Sequence, residues 1–419
     1  MLAEAVPETG ASMSSRISQS EFIAMMAMLV ATVAFSIDSM LPAMPQIAEE
    51  LTPEAPNRAQ LVLSGFLVGM GLGTLFTGPL SDTFGRKAVV NFGAALYILG
   101  AVLAWAAPSL ELMVAARVMQ GVGAAGPRIV SLAIVRDLHV GRAMARIVSF
   151  IMVVFTIVPA LAPLIGTLII DLGGWRSIFL AFLIFATIST LWVNLRLDEP
   201  LPPAQRRPFR LSGFREALTE MMAIPMVRAS IYVQTLVFTV LFTSISLIQQ
   251  SFDVIFDRAE NFALYFFIIG IFCATSSLVN AAFVMKHGMR AIISLSITVT
   301  FVLTLVILGL QFIGLGDTAV FWIYVFWQMT LFYQMGLTVG NLNALGMEPL
   351  GHIAGLAASV IGAIATIIAA VVSTVVAQLF NGTLFPQLVA TLIFLGLCIP
   401  VLIRMRRLDR PNRPAAPEK

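Results

Sequence analysis

Charge is scarce in this sequence: 22 acidic and 25 basic residues among 419, or 11%, against about 25% in an ordinary soluble domain. With 59% of the chain hydrophobic, so few ions exclude a disordered chain and a nucleic-acid-binding surface. Cysteine is nearly absent. Cys273 and Cys398 both lie inside apolar stretches, so no disulfide framework is expected and the two act in packing. The three histidines, His139, His287 and His352, show no ligand spacing, and neither a metal centre nor a cofactor is expected. A cleavable leader is lacking too, because residues 1–19 contain no apolar core and the first apolar run is long enough to stay as an anchor.

What the sequence does contain is apolar runs separated by polar breaks. They fall near 22–47, 59–80, 88–107, 111–135, 145–170 and 175–195, then near 229–251, 262–285, 290–314, 318–343, 353–380 and 384–403. A spanning helix needs about 20 residues, so the chain accommodates twelve spans and no large soluble domain. The fold class is therefore an all-α polytopic membrane protein of two six-helix bundles, 22–195 and 229–403, with tails at 1–21 and 404–419. Between the bundles, 196–228 carries Pro200, Pro202, Pro203, Arg206, Arg207, Pro208 and Arg210, a composition suited to a solvated linker. A faint repeat supports duplication: Gly85-Arg86-Lys87 and Gly288-Met289-Arg290 follow spans two and eight, 203 residues apart. Duplicated halves are a recurrent transporter architecture, with the substrate site between them near the midplane.

Lys and Arg counted in alternate loops give the orientation. If the N-terminus is inside, 20 of the 25 fall inside and only Arg58, Arg176 and Arg258 outside, while the outer loops collect Glu49, Glu50, Glu54, Asp253, Asp257, Glu260 and Asp317. Both termini are expected in the cytoplasm. The basic balance is thereby topological, and no nucleic-acid partner is implied.

Ionisable residues within the spans are few and each is costly in lipid unless paired or facing water. Asp38 lies in span one and Arg117 in span four, roughly 16 Å and 10 Å below their outer ends at 1.5 Å per residue. One reading is a proton-titratable carboxylate with a cationic neighbour in a water-filled cavity, where burial and the guanidinium act in opposite senses on its protonation. The other is a buried ion pair that only orients two helices. Arg128 follows Arg117 by eleven residues, which at about 100° per residue returns to within roughly 20° of the same face. Either both arginines look into one cavity, or Arg128 snorkels toward the cytoplasm. Phe35, Gln120, Gln234 and Gln334 are further candidates for the cavity wall.

The segment 78–87 reads as a loop in which Gly78, Pro79 and Gly85 make tight turns and Asp82 bonds main-chain amides or faces a helix N-terminus. With Arg86, and with Arg136 at the end of span four, it is either a latch between the bundles or a plain turn. Span two carries Gly65, Gly69, Gly71 and Gly73, and span five Pro159, Pro163 and Gly166. Small residues permit close approach and prolines kink helices, so these spans either form the moving contact between bundles or are merely densely packed.

Several of these residues resemble known patterns. Gly78-x-x-x-Asp82-x-x-Gly85-Arg86-Lys87 is similar to the cytoplasmic signature of the major facilitator superfamily. Asp38 with Leu41-Pro42-x-x-Pro45, Arg117-x-x-Gln120-Gly121-x-Gly123, Arg136-Asp137-Leu138 and Trp175-Arg176-x-Ile178-Phe179 resemble the drug/proton antiporter branch of Bcr/CflA type. The resemblance covers spans one to six and extends to Gly351-x-x-Ala354-Gly355-x-Ala357-x-Ser359. It implies a multidrug or single-drug exporter of the bacterial inner membrane, exchanging protons for small organic compounds and acting as a monomer. It also implies substrate-binding and proton-coupling roles for Asp38 and Arg117, and a state-stabilising role for Asp82. The span-five pattern of that family, Gly-x-x-x-Gly-Pro, is kept only at Pro163 and Gly166. Arg128 departs from the pattern, and two arginines beside one aspartate favour neutral or anionic cargo over lipophilic cations. The physics of the residues alone leaves an importer or facilitator of a nutrient or osmolyte as the alternative, since it shares the fold.

Overall fold

A computed structural model describes residues 17–206, 208 and 211–408, without the side chains of 211–214 and 407–408. Residues 1–16 and 409–419 of the expected tails lie outside the described residues, as do Arg16, Arg207, Arg210, Arg410, Arg413 and Lys419. Among the described residues there is no strand.

The first half consists of α1 (Gln19–Asp38), the short α2 (Met44–Leu51), α3 (Leu61–Phe84), α4 (Arg86–Trp105), α5 (Leu110–Leu138), α6 (Gly141–Gly173) and α7 (Ser177–Arg196). The second half consists of α8 (Leu211–Ala223), α9 (Pro225–Gln250), α10 (Phe262–His287), α11 (Met289–Leu310), α12 (Asp317–Met347), α13 (Ala354–Gln378) and α14 (Phe385–Leu408). All but α2 and α8 are long and apolar enough to cross a membrane. Leu172, Leu195, Leu278 and Met285 on these helices are exposed apolar side chains.

The expected span one, 22–47, is two helices rather than one. Pro42 and Pro45 have no amide hydrogen for the carbonyls of Asp38 and Leu41, so α1 stops at Asp38 and a 3₁₀ turn, Leu41–Ala43, leads into α2. The segment read as a loop, 78–87, is helical on both sides of a single residue. Gly78, Pro79 and Asp82 lie inside α3, and only Gly85 leaves helical geometry, with φ of +101°. Its counterpart Gly288, at φ +79°, separates α10 from α11 in the same way, so the faint repeat marks two equivalent left-handed breaks.

The helix pairings repeat between halves. α3 with α5, α4 with α5, α1 with α6 and α4 with α7 correspond to α10 with α12, α11 with α12, α9 with α13 and α11 with α14. The two most extensive contacts between the groups, α3 with α13 and α6 with α10, are also exchanged by the repeat. The first helix of each half lies deepest: 72% of the apolar window of α1 and 89% of that of α9 are buried, against 28% for α6 and α10.

The expected linker is only partly a linker. Met221 of α8 is buried with Val227, Val360 and Ile361, with Leu218 and Met222 packed beside it and Ala217 also buried, so this helix docks on the second group. The polar residues separate into a basic end, which holds Arg86, Arg142 and Arg290, and an acidic end, which holds Glu49, Asp253 and Asp317.

Glycine has two uses in α3. A Cβ on Gly69 would overlap the Val118 carbonyl of α5, and one on Gly73 would lie 2.6 Å from the Val122 carbonyl. On another face, a Cβ on Gly71 would lie 2.5 Å from Cγ1 of Ile367 and one on Gly78 3.5 Å from the Ser359 hydroxyl, both on α13. Thus of the glycines assigned to a moving contact, Gly71 faces the other group, while Gly65, Gly69 and Gly73 serve fixed packing inside the first. Gly69→Val should therefore destabilise the protein by about 1–3 kcal/mol or more, read as a fall in melting temperature and monodisperse yield in detergent. Gly340→Ala, where nothing lies within 4 Å of the new methyl, should keep the yield and raise the melting temperature slightly, since alanine is favoured over glycine inside a helix by about 1 kcal/mol.

Candidate functional site

Asp38 is the last residue of α1, 5% exposed, and no described residue donates a hydrogen bond to its carboxylate or pairs with it. The neighbourhood expected of Asp38 and Arg117 forms no ion pair. Arg117 is fully buried and its donors are taken elsewhere: Nη2 to the Ser36 carbonyl at 3.0 Å, Nε to the Val62 carbonyl at 3.3 Å and Nη1 to Oε1 of Gln120 at 2.6 Å. The guanidinium also lies 4.4 Å from the ring centre of Phe66 and 5.9 Å from that of Phe182. Geometry explains the separation: Ser36 and Asp38 are two residues apart, about 200° around the helix, so α1 turns Ser36 to Arg117 and Asp38 away from it.

The same packing revises the list of cavity-wall residues. Gln120 holds Arg117, and Gln334 lies against the Thr338 hydroxyl at 3.4 Å, so both are buried and engaged. Phe35 packs on the rings of Phe182 and Phe185. Gln234 is 1% exposed with its carbonyl oxygen unpartnered. The two arginines do not share a cavity: Arg117 is sealed in, while Arg128 is half-buried and its guanidinium has no described partner. Tyr97 was not singled out from the sequence. Its hydroxyl meets that of Ser36, which in turn donates to the Thr32 carbonyl at 2.6 Å, fixing the turn of α1 that Arg117 grips.

At the basic end, Arg86 is a nearly buried hub. It bonds Asp82 at 2.6 Å, the Ser81 hydroxyl at 2.7 Å and Asp137 at 2.7 Å. Asp82 does not bond the main-chain amides as expected, because Glu199 occupies them: its carboxylate accepts from the amides of Arg86 at 2.8 Å and Lys87 at 2.9 Å. Glu199 was missed because it lies 112 residues from Lys87, in a proline-bearing stretch with no motif. Arg136 is exposed and reaches the second group, where a Cβ on Gly355 would lie 3.8 Å from its Nη1.

On α6, contact with the other group comes from Ala160, which a Cβ on Gly270 of α10 would approach to 2.5 Å. Pro159 and Pro163 lie in the same continuous helix. Gly166 is not part of that contact. It packs within the first group, where a Cβ would overlap the Ser39 carbonyl beside Asp38.

At the acidic end the groups are joined by hydrogen bonds. Asn57 donates to the carbonyls of Phe380 at 2.8 Å and Gln378 at 3.3 Å, and accepts from Gln250 at 2.7 Å. Gln60 donates to Gln250 at 3.4 Å, and Gln378 returns a bond to the Asn57 carbonyl at 2.9 Å. Glu50, bonded to Trp175 at 2.8 Å and Arg176 at 2.7 Å, braces α2 against the start of α7.

A sequence model of the Major Facilitator Superfamily matches residues 25–374. The chain is 26% identical over 388 residues to a bicyclomycin resistance protein homolog of Haemophilus influenzae, covering 91% of this chain and 94% of that one. It is 27% identical to the MFS-type transporter YdgK of Bacillus subtilis, covering 81% and 84%. Over a shorter stretch of 176 residues it is 34% identical to the multidrug resistance protein MdtL of Escherichia coli, 42% of this chain and 44% of that one. Among solved structures, a D-xylose-proton symporter superposes with a TM-score of 0.71 at 13% identity, covering 92% and 97%. The human organic anion transporter MFSD10 does so at 0.67 and 16%, covering 93% and 100%. Identities this low establish a shared fold.

Two outcomes follow from the polar clusters at the ends. Glu199→Ala uncaps α4 and should cost about 1 kcal/mol, seen as a modest fall in melting temperature, with Glu199→Gln intermediate. Asn57→Ala removes the centre of the acidic-end cluster at about 0.5–1.5 kcal/mol per hydrogen bond, so a cysteine placed at the buried Ala59 should react with a polar thiol reagent about tenfold faster.

Proposed function

This chain belongs to the Major Facilitator Superfamily, a family of multi-pass membrane transporters, and from that premise we propose that it exports drugs or related small organic molecules in exchange for protons. The observation that carries this reading is Asp38: an acid buried within the membrane at a helix break, without a cation to hold it. The resistance proteins of Haemophilus influenzae and Escherichia coli that the chain is similar to support efflux of drugs.

By the positive-inside rule the basic end faces the cytoplasm, which puts both termini inside and the acidic end outside the inner membrane of a bacterium. The protein works as a monomer, moving its small-molecule cargo by rocking the two groups along the α3–α13 and α6–α10 contacts. The hydrogen bonds around Asn57 keep the acidic end shut in this arrangement. When the acidic end opens, Asp38 takes a proton, loses its charge-assisted hold on the cargo and lets it leave. When the basic end opens, Asp38 gives the proton up and cargo binds again. Arg117 does not contact cargo in this scheme; it positions Asp38 by holding Ser36. Arg128, half-buried and unpartnered, is a donor for polar groups of the cargo. At the basic end, Asp82, Arg86 and Asp137 form the latch, with Arg136 reaching toward α13.

Asp38→Asn keeps the shape and removes the titratable proton. In a host stripped of its own pumps, that variant should reach the membrane in normal amount yet lose gradient-driven efflux, with resistance falling to the level of cells without the protein. Efflux that still collapses when the proton gradient is dissipated would remove Asp38 from the coupling role. Cargo that rises in the cell when the protein is present would identify an importer.

A further inference from the structure

A cavity of 310 Å³ opens between the two groups at the acidic end, beside the Asn57 cluster. Its walls are mostly apolar, with Met44 and Ala59 from the first group and Val254 from the second. Two carboxylates line it, Glu49 on α2 and Asp253 just beyond α9. Neither is paired with a described residue, no basic side chain lines the cavity, and Asp257 adds a further negative charge four residues on. The basic residues of this end are engaged elsewhere: Arg58 with Glu111, Arg176 with Glu50, and Arg258 over the ring of Phe321.

A second feature points to a ligand independently of the carboxylates. Gln60 lines the cavity, is only 3% exposed, and its Oε1 has no hydrogen-bond partner. A buried amide oxygen without a donor is unfavourable in any interior, and here it is an acceptor beside two uncompensated negative charges. The two carboxylates and this oxygen all favour positive charge, and the only other polar side chains on the wall are the neutral amides of Gln249 and Gln250. Among the described residues no cluster of three or more His, Cys, Asp or Glu could hold a metal ion, and the apolar walls suit an organic body.

We propose that this cavity binds an organic ammonium ion from the outer side and that the bound ion holds the acidic end closed. The two carboxylates come from different groups, so closing this end brings like charges to one cavity, and a cation between them converts that repulsion into attraction. Gln60 and Gln250 belong both to the cavity and to the hydrogen-bonded cluster that joins the groups, so binding and closure reinforce each other. The site is separate from Asp38 and from the direction of transport, and it can be measured without a gradient or a cargo.

The test uses the full chain purified in detergent, with choline as the probe and its neutral isostere 3,3-dimethyl-1-butanol as the control, followed by calorimetric titration and thermal melting. Choline should bind and raise the melting temperature, and the neutral alcohol should bind about tenfold more weakly or not at all. Glu49→Gln and Asp253→Asn should each weaken choline about tenfold. Val254→Trp, at a residue 58% exposed and outside the core, should fill the cavity and abolish binding with both charges intact. The inference is overturned if choline does not bind, if the alcohol binds equally, if both carboxylate variants bind choline as tightly as the parent chain, or if Val254→Trp leaves binding unchanged.

Discussion

A guanidinium in the membrane interior with no carboxylate opposite it sets the geometry of the first group. Left unsatisfied, such a charge costs several kcal/mol, so the helices around Arg117 are arranged to feed it acceptors. α1 contributes the Ser36 carbonyl, α3 the Val62 carbonyl and the Phe66 ring, α5 the Gln120 amide, and α7 the Phe182 ring. Four helices are thus pinned to one side chain. Because α1 must present Ser36 to it, the rotation of α1 is fixed, and so is the side on which Asp38 emerges. The acid is left free because its expected cation is occupied with its neighbours' backbone.

That rigid core contrasts with the contacts between groups. Where α3 meets α5, an added methyl on Gly69 or Gly121 would strike backbone, which cannot yield. Where α3 meets α13, a methyl on Gly71 would strike Cγ1 of Ile367 at 2.5 Å, with the nearest backbone atom 3.3 Å away. One helix therefore meets backbone on one face and, first of all, a side chain on another. The repeat of the chain supplies the matching contact, α6 on α10, through Ala160 and Gly270. These two contacts are exchanged by the repeat, and the polar cluster at Asn57 closes one end of the space between the groups.

The architecture was legible in the sequence because lipid imposes a coarse rule: long apolar runs become helices, and basic loops share one side. The pairing of equivalent helices was foreshadowed by Gly85 and Gly288, which share a backbone conformation that other residues avoid. Asp38 and Arg117 stood out because charge in an apolar run is rare, but their separation could not be read from sequence position. It depends on the helical angle between Ser36 and Asp38 and on which of the two the cation reaches. Glu199 escaped notice for the opposite reason: charges are ordinary in a polar stretch, and only the fold brings it to the start of α4. The helix α8 was obscured by prolines upstream, although Ala217 and Met221 already lay four residues apart.

The two ends of the connecting stretch are each tied down. Glu199 is bonded to the amides of α4, with the amide of Leu201 also donating to it, while Leu218 and Met221 seat α8 on the second group. Between Leu201 and Leu211 only nine residues, ten peptide steps, are left to pay out, a reach of about 35 Å when fully drawn straight. That tether sets an upper bound on how widely the mouth at the basic end can gape, whatever its cargo.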